Sequence, residues 1–261
     1  MKKFISIFVL SVLFLSPFHA YQAEAAADLT KDPNYKTIYQ AMIHLKSQVK
    51  VNYNGNTYKV FQKVLEDHPE IFYVSSSYRV SYYGSNGTLK ITYLGSTKTI
   101  KSQMASLNKK VDTIYKGSKS KKTTKDKIKY FHDYIIDHAK YDYSNYQKGT
   151  IPDRSYNAYG VLVKGVGVCQ GYAESMQILL NKAKITNYFV VGSAGNGSSW
   201  ESHAWNLVKV GSKYYHVDTT WDDPITISGK QMKTYDYFMI NDSKMTKDHI
   251  WTTEDYPKAS E

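Results

Sequence analysis

Two β-rich runs, from His203 to Val210 and from Lys213 to Thr219, are separated by only Gly211-Ser212, a connection short enough to require an antiparallel hairpin. With those two residues as the turn, Val210 faces Lys213, and counting back along both strands puts Trp205 opposite Asp218. Side chains alternate between faces with a period of two, so His203, two residues from Trp205, points to the same side as Asp218. Diagonal neighbours of this kind lie roughly 7 to 8 Å apart at the backbone, within side-chain reach. A carboxylate so placed fixes the tautomer of an imidazole and stabilises its protonated form. One more turn residue would reverse the parity and separate the two. His216 shares the face and competes for the histidine role.

The single cysteine, Cys169, stands in Gly165-Val166-Gly167-Val168-Cys169-Gln170-Gly171, followed by Tyr172, Met176, Leu179, Leu180 and Ala183 at helical spacing. No Ser, Thr, Asp or Asn immediately precedes it, so the first N–H groups of the helix are left free to face an anion. Those groups and the positive end of the helix dipole favour a thiolate, and they can also hold an oxyanion. The glycines are expected to let a substrate backbone approach, and Gln170 is a candidate second oxyanion donor. The ordinary alternative is a buried thiol in an ordinary helix. With one cysteine there is no internal disulfide, and stability rests on a packed core.

Three motifs in this order resemble the transglutaminase-like superfamily: GVGVCQGYAESMQILL with its glycine-led cysteine, His-Ala-Trp-Asn at 203–206, and Val-Asp-Thr-Thr-Trp-Asp-Asp-Pro at 217–224. The resemblance runs from about Tyr130 to Pro224. It implies an α+β, papain-like core in which a helix carrying the cysteine packs on an antiparallel sheet carrying the histidine and aspartate. It further implies Cys169 as nucleophile, His203 as acid/base and Asp218 as its orienter, acting on protein or peptide amides by transfer to an amine or by hydrolysis. Such chemistry needs no cofactor, and no cofactor motif is visible. A metal set built from Cys169, His203, His216 and Asp218 lacks the Cys-x-x-Cys pair common in structural zinc sites. A cysteine peptidase of the same fold and an inactive cell-surface binding module are the competing functions.

The rest of the chain frames this region. Lys2 and Lys3, an apolar run from Phe4 to Leu15 and the alanines up to Ala27 read as a secretory signal peptide over 1–27. The run is far short of the roughly 20 residues of a membrane span, so stable membrane insertion is not expected. A secreted or cell-wall-associated protein follows. Residues 28–120 read as an N-terminal region with helices over Tyr35–Val51, around Val60–Leu65 and over Thr97–Tyr115, and a hairpin turning at Gly84-Ser85-Asn86-Gly87. Lys116–Lys127 lacks apolar residues and reads as the linker to a catalytic domain over 121–261. Thr123 with Asp126 resembles a capping box for a helix whose inner face carries Ile128, Phe131, Ile135 and His138, and Tyr141–Tyr159 reads as a long loop.

Basic residues outnumber acidic ones 34 to 23, a net charge of +11, yet Arg79 and Arg154 are the only arginines. Bidentate reading of bases and phosphates favours arginine, so nucleic acid is not an expected partner. Diffuse lysine charge suits solubility, or loose association with anionic cell-wall polymers. Mass spectrometry of the exported protein is expected to find a new N-terminus between Ala26 and Asp28, and an intact Met1 would reject the signal-peptide reading.

Overall fold

The computed structural model describes residues 28–53, 55–224 and 231–260; the expected signal peptide lies outside them. Helices and antiparallel sheets combine in an α+β architecture, and the chain divides into two units between Ser106 and Leu107.

In the N-terminal unit, α1 (Pro33–Ile43) is started by Asp32, whose side chain accepts from the Asn34 N–H, with Pro33 in the first turn. It is shorter than its apolar spacing suggested. Leu45 takes a left-handed φ of 53°, and the Lys46 N–H returns to the Ala41 carbonyl, which closes the helix. Val49 therefore belongs to a strand, β1 (Gln48–Asn52), and the hairpin becomes a three-stranded sheet. After α2 (Thr57–Asp67) come β2 (Val74–Tyr83) and β3 (Asn86–Tyr93), joined by Gly84-Ser85 alone, with Gly84 at φ 60°. The sheet order is β1-β3-β2. Along β3, Leu89 and Ile91 are buried while Lys90 is exposed, and the inner face joins Ile38, Met42, Phe61 and Val64 in one core.

Helix α3 (Thr97–Ser118) runs across the division between the units. The expected linker is mostly helical: α3 continues to Ser118, and α4 (Thr124–His138) begins with Thr123 and Asp126 in a reciprocal capping box. Ile128, Phe131 and Ile135 are buried, but His138 is exposed and stacks on Tyr134. Where a long loop was expected, β4 (Lys140–Tyr141) is followed by α5 (Tyr143–Gln147) and a short helical turn at Asp153–Tyr156, with another just beyond it at Gly160–Lys164. Strand β5 (Val166–Gly167) pairs in parallel with β4 and leads into α6 (Cys169–Lys182).

Helix α6 packs against β6 (Asn187–Gly195) and β7 (Trp200–Val210), at the centre of a sheet completed by β8 (Lys213–Val217), β9 (Phe238–Ile240) and, after α7 (Asp242–Met245), β10 (His249–Trp251). Its order is β10-β6-β7-β8-β9, antiparallel throughout. Asn206 ties helix to sheet by donating to the Ala173 carbonyl at 3.1 Å. No helix among the described residues is long and apolar enough to cross a membrane.

Two substitutions of similar chemical size should differ sharply in urea unfolding. Thr123→Ala removes an exposed cap and should cost about 1 kcal/mol. Gly160→Ala would put a Cβ 1.8 Å from the Arg154 carbonyl oxygen and should cost several times more. Equal losses would contradict the packing described.

Candidate active site

The β7–β8 register has Val210 opposite Lys213 and Asn206 opposite Val217, which continues to Trp205 opposite Asp218. His203 and Asp218 accordingly share a face, and His203 Nε2 lies 2.6 Å from Asp218 Oδ2. Both residues are buried.

Asp218 is the most fully engaged carboxylate of the site. Oδ1 accepts from the Thr220 and Trp221 N–H groups at 2.9 and 3.1 Å. Oδ2 meets His203 and, at 3.1 Å, Nε2 of His249. Burial alone would raise its pKa; the charge and hydrogen bonds of the two imidazoles outweigh that and hold it well below the carboxylate range. For His203 burial favours the neutral ring, but the Asp218 carboxylate, and then the Cys169 side chain through a hydrogen bond and its charge, raise the pKa to about 10. With Nε2 committed to Asp218, Nδ1 is the ring nitrogen left for Cys169.

Cys169 opens α6, and the preceding Val168 offers no side-chain cap, so the uncapped helix start expected from the sequence is present. Its position is set by the Asp153–Tyr156 turn, because the Val168 N–H donates to the Ser155 carbonyl at 2.8 Å. The glycines around Cys169 serve that packing. A Cβ on Gly171 would meet the Ser155 oxygen at 2.8 Å, and one on Gly167 would meet Val161 Cγ2 at 2.3 Å. It is the protein's own chain that makes the close approach here. Gln170 donates to Glu174 Oε1 at 2.9 Å, one helical turn on, and burial raises the Glu174 carboxyl to about 8.

Two phenols instead lie near enough to feel the charge of Cys169. Tyr141 is fixed by the β4–β5 ladder opposite Gly167, with the Asp142 N–H donating to the Gly167 carbonyl at 2.9 Å. Tyr156 follows Ser155 directly. Burial, and secondarily the charge of Cys169, raise the pKa of both phenols. Neither hydroxyl has a hydrogen-bond partner among the described residues.

His216 is excluded from the cysteine by its own bonds: Trp205 Nε1 donates to its Nδ1 at 2.9 Å, and its Nε2 lies 2.8 Å from Asp242. An Nδ1 that accepts leaves the proton on Nε2, and burial lowers its pKa. His249 was not legible as a site residue in the sequence, because its strand is three residues long and pairs with β6, far back in the chain. The rings of Trp205 and Trp221 lie 5.1 and 4.4 Å from that of His249 and 6.0 Å each from that of His203, enclosing the histidines in aromatic surface. Asp222 and Asp223 brace the region: Asp222 meets buried His132 at 3.0 Å and accepts from Thr234 and the Tyr237 N–H, while Tyr172 donates to Asp223 at 2.7 Å. Ligand atoms of His203, Asp218 and His249 lie within 4.8 Å of one another, but the short contacts of Asp218 to both rings are those of shared protons, which a metal would have to displace.

Residues 110–219 match the transglutaminase-like superfamily, and the chain carries a transglutaminase-like domain over that span. No curated protein matches the chain. Among solved structures it is similar to a TGase, at 13% identity and a TM-score of 0.40, covering 66% of this chain and 50% of the other. It is also similar to a putative cysteine protease from Cytophaga hutchinsonii, at 13% identity and a TM-score of 0.36, covering 61% and 66%. The chain thus spans half the length of the first and two thirds or less of the second, and neither likeness is close enough to carry a substrate or reaction across.

The pKa of His203 gives a signed expectation. A raised folded pKa stabilises fully below the unfolded value of about 6.5 and is lost as pH rises through about 10. The depressed Asp218 describes the same interaction from the other side and is lost below about 4. The stability difference between wild type and Asp218→Asn should therefore be largest between about pH 4 and 6.5 and shrink towards pH 10 in urea titrations. A difference that grew with pH over that range would contradict the ion-pair account.

Proposed function

We propose that the transglutaminase-like domain performs thiol-dependent acyl transfer on protein amide groups, with Cys169 as nucleophile, His203 as acid/base and Asp218 as the group that orients His203. The observation that carries this reading is the line from Asp218 Oδ2, 2.6 Å from His203 Nε2, through the imidazole to the Cys169 side chain. With its raised pKa His203 already holds the proton of the pair, and the sulfur it leaves unprotonated attacks the amide carbon. As the C–N bond breaks, His203 returns that proton to the leaving nitrogen, so ammonia departs from a glutamine side chain and a thioester remains on Cys169. A lysine-type amine or water then attacks the thioester, its proton passing through His203 to the sulfur. The Cys169 N–H at the uncapped start of α6 faces the developing oxyanion, and the unpartnered hydroxyls of Tyr141 and Tyr156 are the side-chain donors best placed to join it. His249 acts as a positioning residue, sharing Oδ2 of Asp218 with His203.

The aromatic surround of His203, built from Trp205 and Trp221, favours amine transfer over deamidation and peptide cleavage, because both of those use water as the acceptor and a drier cleft disfavours it. Export through residues 1–27 would place this chemistry at the cell surface.

Incubation of the purified protein with a glutamine-containing protein and a labelled amine should give amine incorporation or ammonia release. Cys169→Ala should abolish it, and Asp218→Asn should stay folded and slow turnover by about 10⁴-fold, through loss of the correct imidazole tautomer. Peptide cleavage in place of both would reassign the reaction to a peptidase. None of the three across a broad substrate panel, with Cys169 still freely alkylated, would sink the enzyme reading in favour of a binding module.

A further inference from the structure

The outer face of the β1-β3-β2 sheet carries a charge arrangement that the sheet itself does not explain. Arg79 on β2 lies directly opposite Lys90 on β3, and Lys50 on β1, opposite Thr88, is the diagonal neighbour of Lys90. All three are exposed. Like charges directly opposed across strands destabilise a sheet, whereas a neighbouring carboxylate would turn the pairing favourable. None is present: no acidic residue occurs from Pro33 to Leu65 or from Ile71 to Val111, a span that includes every residue of the three strands. Lys50 Nζ donates to Thr88 Oγ1 at 3.0 Å, and among the described residues neither Arg79 nor Lys90 has an ion-pair partner. At the hairpin end of the same face Tyr83 is 90% exposed.

We propose that this face docks an anionic polymer of the cell exterior, a chain of phosphodiesters separated by polyol units, whose phosphates neutralise Arg79, Lys90 and Lys50 together. Spaced anions on a flexible chain suit cations set roughly 5 and 7 to 8 Å apart at the backbone. The hydroxyls of Ser81 and Thr88 and the ring of Tyr83 supply hydrogen bonds and a flat surface for the polyol. A membrane surface fits less well, because no Leu, Ile, Phe or Trp side chain stands on this face to enter lipid. The proposal is independent of the chemistry at Cys169; a surface of this kind would hold the protein at its substrates without touching the reaction.

The test is binding of the full chain to poly(glycerol phosphate) across a salt series. K50Q/R79Q/K90Q should lose tenfold or more in affinity and flatten the slope of log affinity against log salt by roughly 2, at about 0.7 for each phosphate contact on a flexible strand. K36Q/K98Q/K101Q removes the same charge from exposed lysines of the same unit and should change affinity little. Equal losses in the two variants would overturn the proposal in favour of diffuse attraction, as would failure of the wild type to bind. Binding to duplex DNA or anionic vesicles that was as tight, and lost in the same variant, would overturn the polymer assignment. Relief of the opposed charges should leave the melting temperature of K50Q/R79Q/K90Q at or above that of wild type. A clear drop would show that the three charges stabilise the sheet unaided and would remove the premise.

Discussion

The buried carboxylate of Asp218 is the constraint on which the site depends. A charge taken out of water is tolerable only when its lone pairs are met, and here two backbone N–H groups and two imidazoles meet them. Each contact fixes a different part of the chain. The N–H groups of Thr220 and Trp221 form the turn that leaves β8, His203 fixes the middle of the sheet, and His249 brings in its far edge. The Asp218 N–H also donates to the Tyr237 carbonyl, and Asp222, one turn on, joins buried His132 and the Tyr237 N–H. Three His–Asp contacts and the Tyr237 backbone thus anchor α4, β7, β10 and the segment before β9 around one short stretch of chain. Removing the Asp218 charge would leave two imidazoles without their common acceptor, so its effect should exceed that of losing one hydrogen bond.

The same carboxylate sets the electrostatics at the cysteine. A buried imidazole would ordinarily be neutral, and Asp218 reverses this by pushing the pKa of His203 up to about 10. The positive ring faces the start of α6, where an uncapped helix end adds partial positive charge. The packing that holds Cys169 there comes from the Asp153–Tyr156 turn seated against Gly167 and Gly171, positions where a methyl group would not fit. A hairpin register, a helix end and two glycines therefore converge on one sulfur.

Much of this was readable from local rules. A two-residue turn leaves little choice of register, so the shared face of His203 and Asp218 followed from counting. The capping box at Thr123 and Asp126 likewise depends on residues three apart. What escaped was non-local or a matter of coincidence. Val49 lay at helical spacing by chance, and the connection 44–47, with its left-handed Leu45, separates α1 from β1. The first residues of the apparent linker extend α3 and its last ones open α4, because lysine is a good helix former and a lack of apolar residues does not preclude a helix. His138 sat at an apolar spacing on α4 yet lies at the last turn, where the helix leaves the core. His249 joins the site through a short strand paired with β6, a contact that no local pattern encodes.

The central claim is that Cys169 carries the acyl group. Acid quenching during turnover, followed by mass spectrometry of the peptide containing Cys169, tests it directly. The account predicts an adduct of the acyl mass on that peptide, labile to hydroxylamine as a thioester is and absent from Cys169→Ala. An unmodified Cys169 throughout a productive turnover would contradict it.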